Sequence, residues 1–279
     1  CDSVLISVNA LTGANYYWNS STESLNFGLT AYYPFNGNSN DESPYQNNLT
    51  LVNNPTLTSD RFGISNSAYN FNGVNQKMNG AIGIYNYLSN RTLSAWVMST
   101  GSTGNDQGIV SYMGGTGQDG YMIYLQHTGN FVAHENNYDN GAGTWDGAIS
   151  SNVTYTGDNT WHHVVSLRRN DTTFLYVDGV KINDFTTLSP YFNSSNFIIG
   201  HTGYVSQGWG DQYFEGNIDD VRLYDRALSE LEIQQLYLST PNTGNSLMVA
   251  NSGWNYVTVT DSLGCSATDS VYVQMDICG

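Results

Sequence analysis

Trp161-His-His-Val-Val165, followed by Leu175-Tyr-Val-Asp-Gly179, is the stretch whose reading decides the fold. From Val164 to Asp178 apolar residues alternate around a turn at Arg169–Thr172. That period of two is the pattern of strands with one face buried. Asp178-Gly179 then signals a second tight turn, because hairpin turns need residues that tolerate a positive φ. Outward in both directions, similar short apolar runs recur at short intervals, separated by Gly- and Asn-rich turns. Many short strands joined in this way point to an all-β sandwich.

The spacing predicts one helix. Ser229 is an N-cap, Glu232 three residues on completes a capping box, and Leu228 and Ile233 stand where a hydrophobic staple would. The helix should run to about Tyr237 and end before Pro241, since the residue before a proline is pushed out of helical geometry.

The segments on either side of the hairpin carry a family resemblance. Gly28-Leu-Thr-Ala-Tyr-Tyr-Pro-Phe-Asn-Gly-Asn38, Tyr69-Asn-Phe-Asn-Gly73, Thr92-Leu-Ser-Ala-Trp-Val97 and Gly216-Asn-Ile-Asp-Asp-Val-Arg-Leu-Tyr-Asp-Arg-Ala-Leu228 follow one another in order. With the hairpin, they resemble the laminin-G-like, concanavalin A-type jelly-roll family. The resemblance implies a sandwich of two antiparallel sheets with one short C-terminal helix, over residues 27–239.

The two ends have a different character. Val4, Ile6 and Val8 alternate along the first, and Trp254-Asn-Tyr-Val-Thr-Val-Thr260 alternates along the last. Neither stretch is long enough to bury a core alone. Cys1-Asp-Ser-Val4, Tyr17-Trp-Asn-Ser20 and Tyr256-Val-Thr-Val-Thr-Asp-Ser-Leu-Gly-Cys265 resemble the immunoglobulin-like repeats of Bacteroidetes surface proteins. That resemblance implies a small discontinuous β-domain, 1–26 plus 240–279, into which the lectin-like domain is inserted. It implies a Cys1–Cys265 disulfide, with Cys278 opening a further repeat of a longer multidomain chain. It also implies export by the type IX system. A rival reading makes Cys1 a lipidated residue, which would leave Cys265 without its mate. No signal peptide precedes Cys1, so the sequence reads as a mature product or an excised fragment.

Composition narrows the partners. Of 279 residues only 11% are charged, and the formal net charge is −16. A phosphate backbone would be repelled, which argues against nucleic acid. An anionic membrane surface is disfavoured for the same reason. No apolar run approaches the roughly 18 residues of a membrane span. The acidity fits solubility, and it fits carboxylates that hold a divalent cation.

Candidate chemistry is sparse. Glucanases of this fold place acidic residues two apart on one strand, so that the carboxylates flank the scissile bond. Here Asp219 and Asp220 are adjacent, which would point them to opposite faces of a strand. His162 and His163 are adjacent too and read as packed strand residues. Trp96 and Trp161 read as core. The expectation is a protein that is not an enzyme. Asn36-Gly-Asn-Ser-Asn-Asp-Glu-Ser43 is dense in hard oxygen donors, which suit calcium. By resemblance, Asn38, Asp41 and Asn47 would face Asp219 or Asp220 across that ion, although Ser43-Pro-Tyr45 departs from the family's loop. The same loop could instead satisfy its own backbone as an Asx turn. Trp209, Trp145, Tyr138, Tyr204 and His134 fall in polar, Gly-rich segments that read as loops. Aromatics so placed suit a sugar platform, because a flat ring stacks on the apolar face of a pyranose; packing that anchors the loops is the other reading. Asp-Ser-Val and Asp-Ser-Leu at Asp2, Asp261 and Asp269 resemble an O-glycosylation motif, or are plain turn composition. The leading expectation is a secreted or cell-surface adhesin module that binds a glycan or a glycosylated surface protein with calcium support. The alternatives are a structural spacer and a degenerate glycoside hydrolase.

Overall fold

The computed structural model describes residues 4–7, 15–20, 25–80, 89–101, 104–113, 120–136, 147–151, 153–186, 196–203, 212–239, 246–249, 253–260 and 266–274. The chain begins with β1 (Val4–Ser7), β2 (Asn15–Ser20), β3 (Leu29–Tyr33), β4 (Thr50–Val52), β5 (Thr56–Thr58), β6 (Ala68–Asn72) and β7 (Lys77–Gly80). It continues through β8 (Asn90–Ser99), β9 (Gln107–Met113), β10 (Gly120–Leu125), β11 (Phe131–Asn136), β12 (Gly147–Ser150) and β13 (Trp161–Arg169). Then come β14 (Thr172–Val177), β15 (Val180–Thr186), β16 (Asn196–Ile199), β17 (Glu215–Tyr224) and α1 (Glu230–Leu238). It closes with β18 (Ser246–Val249), β19 (Gly253–Thr260) and β20 (Ser266–Val273).

Two compact units divide these elements. Cys1–Phe27 and Ser239–Gly279 form one, and Gly28–Leu238 the other. In the first unit the two ends of the chain share sheets: β1 pairs with β18, and β19 lies between β2 and β20.

The larger unit is a sandwich of two antiparallel sheets, as the alternation predicts. One has seven strands in the order β12-β11-β10-β9-β16-β7-β4. The other has eight, of which seven run β15-β14-β13-β8-β17-β6-β5, while β3 pairs with the second half of β17. The turn expected at Arg169–Thr172 joins β13 to β14.

Apolar side chains from the two inner faces fill the space between the sheets. Tyr33, Phe71, Met78, Val97, Ile123 and Phe197 are all buried there, and Tyr33 stacks on Phe197 with 5.9 Å between ring centroids. One ion cluster interrupts this interior. Glu135 turns inward from β11 and meets Arg91, Arg168 and the Thr173 hydroxyl. The Arg91 guanidinium also lies 4.2 Å from the centre of the Tyr121 ring. A group in this cluster that lost its partner would leave an uncompensated buried charge, at a cost of roughly 3–5 kcal/mol.

The helix forms by the expected capping box. Glu232 Oε2 accepts a hydrogen bond from the Ser229 amide at 2.7 Å, and the Glu232 amide donates to Ser229 Oγ at 3.3 Å. Leu228 and Ile233 are fully buried. The helix lies on the eight-stranded sheet: Gln234 donates to the Gly179 carbonyl, and Tyr237 stacks on Trp96 at 5.7 Å.

Candidate functional site

A sandwich offers two outward faces. On the eight-stranded sheet that face carries charges which bind one another. A bulge between Asp219 and Arg222 breaks the register of β17 against β8, and Asp220 adopts a left-handed φ of 47°. The bulge inserts an extra residue, so strand alternation fails at this point. Asp219 and Asp220 therefore do not point to opposite faces, as their adjacency implied. Both reach Arg61, at 3.1 and 2.8 Å. Arg222 approaches Asp220 at 3.4 Å, and the Tyr32 hydroxyl donates to Asp220 at 2.9 Å. The Arg61 guanidinium lies between the rings of Phe62 and Trp96, 4.3 and 4.5 Å from their centres. Burial and the neighbouring charge of Asp220 push Asp219 up to about 9. Burial also raises Asp220, but Arg222, Arg61 and the Tyr32 hydroxyl overcome it and hold that carboxyl below the usual range.

The expected calcium donors do not form one set. Asp41 is buried and its carboxylate is fully engaged. Oδ1 accepts from the amides of Tyr32 and Ser43, both at 2.8 Å. Oδ2 accepts from Ser43 Oγ at 2.9 Å and the Asn47 amide at 2.8 Å. A carboxylate has about four lone-pair sites, and these four donors match that number. Asn47 contributes its backbone, with its carbonyl accepting the Tyr33 hydroxyl at 2.8 Å. Asn38 is exposed and bonds within its own turn, to Asn40 and Asn36. Asp219 and Asp220 are held by arginines. Asp41 and Asp220 instead share Tyr32, one at its amide and the other at its hydroxyl. The five residues do not converge on one point, and Asp41, Asn47 and Asp220 tie a loop to β3 and β17. Among the described residues no group of three or more His, Cys, Asp or Glu side chains could hold a metal.

The outward face of the seven-stranded sheet is different in kind. Register places Ala148, His134, Met122, Ser111, Ile198, Asn79 and Thr50 in one row across all seven strands. None of the seven carries a charge at neutral pH. Met122, Tyr124 and Val132 form an apolar cluster apart from the main core. His134 is not in a loop, as its surroundings in the sequence suggested. It lies on β11, is buried, and meets Tyr124 edge-on at 6.2 Å. Burial pushes it down to about 4, against the opposing pull of Glu135 and Asp106, so the ring is neutral. At the end of β16 the chain crosses close over β9. A Cβ on Gly108 would lie 2.0 Å from the Thr202 amide nitrogen, so only glycine fits there. This crossing seats His201 against Tyr213, with ring centres 4.5 Å apart. His201 Nδ1 accepts the Gly203 amide at 2.9 Å.

The remaining ligand candidates, Trp209, Trp145, Tyr138 and Tyr204, lie outside the described residues, as do Cys1 and Cys265. By position in the chain, Tyr138 and Trp145 fall between β11 and β12, and Tyr204 and Trp209 between β16 and β17. Each of those connections has at least one end on the seven-stranded sheet.

The paired histidines divide in role. His163 is buried, and its Nε2 lies 2.8 Å from Ser94 Oγ. His162, which also read as a packed residue, has carboxylates on both ring nitrogens: Asp178 at 2.8 Å and Asp158 at 2.9 Å. A neutral ring has only one N–H to donate, so this geometry calls for the imidazolium. Burial opposes that charge, but the bonds to Asp178 and Asp158 outweigh it and raise the pKa. Trp161, expected in the core, is half-buried at the start of β13. No local pattern signals the Arg61 cluster, because it depends on a bulge and joins segments far apart in the chain.

Comparison with known proteins follows this geometry. A family model described as the concanavalin A-like lectin/glucanases superfamily matches residues 72–234. No curated protein sequence matches the chain. Among solved structures, the binding domain of Paraclostridial mosquitocidal protein 1 is similar at 20% identity and a TM-score of 0.61, over 75% of this chain and 52% of that one. The binding domain of botulinum neurotoxin serotype D is similar at 15% identity and a TM-score of 0.58, over 76% of this chain and 52% of its own. The chain thus spans about half the length of these toxin domains. Domain 4 of AbnA, an extracellular arabinanase from Geobacillus stearothermophilus solved in complex with arabinotriose, is similar at 19% identity and a TM-score of 0.58, over 75% of this chain and 98% of that one. At these identities the likeness is one of fold.

Proposed function

Because the chain belongs to the concanavalin A-like lectin/glucanase superfamily, we propose that Gly28–Leu238 is a non-catalytic module that binds a glycan on the seven-stranded side of its sandwich. One observation carries this reading. The seven-stranded sheet presents an uncharged row of side chains, and connections that begin or end on that sheet concentrate aromatic residues. Tyr138 and Trp145 stand between β11 and β12, Tyr191 and Phe192 between β15 and β16, and Tyr204 and Trp209 between β16 and β17. Aromatic rings in a polar setting provide flat apolar area with a polar edge, which suits the apolar face of a sugar ring. Since His134 and Tyr124 are buried, they serve as a floor, and contact falls to the residues of the connections.

Hydrolysis would need two carboxyl groups flanking the bond on an open face. Asp219 and Asp220 are the one described pair whose pKa values are pushed apart, and Arg61 and Arg222 already occupy them. Glu135 points into the interior. That placement supports binding over catalysis. In this reading the module belongs to a secreted or cell-surface protein, and the smaller unit is an immunoglobulin-like carrier closed by a Cys1–Cys265 disulfide.

A glycan array probed with the whole chain, with and without chelator, tests the proposal. Binding to a defined set of saccharides, unchanged by chelator and weakened by Trp209→Ala, is the expected result. An array blank under both conditions would sink it.

A further inference from the structure

Where the positive charges of this chain stand says what kind of saccharide the module can accept. The chain has only 8 Lys and Arg residues, and all of them are described. Arg61 and Arg222 hold Asp219 and Asp220 on the outward face of the eight-stranded sheet. Arg91 and Arg168 are inside the sandwich on Glu135. Arg226 is paired with Glu232 at the start of the helix, and Lys181 with Asp184 at 2.7 Å on β15. Arg169, at the end of β13, donates to the Leu228 carbonyl at 3.2 Å. Seven of the eight therefore belong to the eight-stranded sheet or to the loops and helix on it. Only Lys77, on β7, belongs to the seven-stranded sheet.

The other side of the balance is acidic. The connections between β9 and β10, β11 and β12, and β16 and β17 contain no Lys or Arg but hold Asp119, Asp139, Asp146 and Asp211. The row across the seven-stranded sheet is uncharged, and burial keeps its one histidine, His134, neutral. Recognition of a carboxylate or sulfate depends on charge-assisted hydrogen bonds, for which Arg is the usual donor. An anion taken up without such a donor loses its hydration uncompensated, and the acidic excess of the chain opposes its approach, which selects against it.

From this distribution we infer that the ligand is an uncharged saccharide, and that sialylated, uronate-containing and sulfated glycans are excluded. The inference rests on the glycan reading above and narrows it. The excess of acidic residues over basic ones, which makes the whole chain −16, acts in the same direction at long range and is screened by salt.

Titration calorimetry of the whole chain separates the outcomes. The probes are arabinotriose, cellotriose and mannotriose as neutral sugars, and 3′-sialyllactose, trigalacturonate and a heparin tetrasaccharide as anionic ones. A neutral probe should bind with less than a twofold change in Kd between 50 and 500 mM NaCl, and no anionic probe should bind. Lys77→Gln should leave that Kd unchanged. Binding confined to anionic probes, or a loss of tenfold or more on Lys77→Gln, would overturn the charge inference while leaving a glycan-binding module in place. Silence from all six probes, joined to a blank glycan array, would remove the glycan reading itself.

Discussion

The two outward faces of the sandwich use the same strand geometry to opposite ends. On the eight-stranded sheet, Arg61, Asp219, Asp220 and Arg222 satisfy one another beneath Phe62 and beside Trp96, on which Tyr237 of the helix stacks. On the seven-stranded sheet the row from Ala148 to Thr50 has no ion pair within it, and its histidine is neutral. Charge paired inside the protein is unavailable to a ligand, so the first face serves stability, and the proposed function falls to the second.

The sharpest break in that comparison is Arg61→Ala. It strips one cation from the buried Asp219–Asp220 pair and should cost about 3 kcal/mol or more, read as a lower urea midpoint at unchanged m-value. Ligand affinity in the fraction that folds should be unaltered. If Arg61→Ala abolished binding without loss of stability, the two faces would have been assigned the wrong way round.

Next in size is Asp41→Ala, which removes the acceptor for three backbone amides and the Ser43 hydroxyl. Roughly 2 kcal/mol should be lost. Chelator should leave the melting temperature of both the parent and the variant where it was. A chelator-sensitive melt in the parent would restore calcium to this loop.

On the other face Trp209→Ala should weaken a bound neutral sugar by about 2 kcal/mol, some thirtyfold in Kd. The urea midpoint should stay within error, and a fall in it would make Trp209 a packing residue.

The smallest effect belongs to His162. Its folded pKa is raised above 6.5. Below the unfolded pKa of about 6.5 the stabilisation is fully present, and it is lost as pH rises through the raised value. The melting temperature should therefore decline gently from pH 6.5 upward, and His162→Gln should flatten that decline. His134 titrates in the opposite sense. Its folded pKa of about 4 makes stability fall as pH drops below 6.5 and on through the folded value.

Much of the fold was legible because it rests on local pattern. Alternation located the Val164–Asp178 hairpin, and a four-residue capping box located the helix. The sites were less legible, for reasons that differ from residue to residue. Asp219 and Asp220 looked like opposed neighbours because alternation assumes a regular strand, and a single left-handed residue removes that assumption. Asp41 sits in a loop dense in oxygen donors, but composition does not reveal how many backbone amides will turn toward one carboxylate. His134 lies in a polar, Gly-rich stretch, yet its immediate neighbours Phe131, Val132 and Ala133 make it a strand residue. The uncharged row needs the register of seven strands that are far apart in sequence, which no local reading supplies.

The way the chain closes on itself has a consequence for the order of biosynthesis. β1 and β2 leave the ribosome first, but their partners β18 and β19 follow only after the whole of Gly28–Leu238. Closing an unstructured loop on the order of 200 residues would cost roughly 5 kcal/mol of chain entropy, too much for a small unit to bear. Once the sandwich has folded, the Gly28 carbonyl accepts the Asp225 amide at 2.9 Å, which ties the chain's entry to the end of β17. The pairing of the small unit therefore waits on synthesis of the large one. A nascent chain stalled anywhere before β17 should hold β1 and β2 as unpaired, protease-sensitive segments. A defect deep in the sandwich, such as one at Tyr33, should surface first as failure of the smaller unit to assemble.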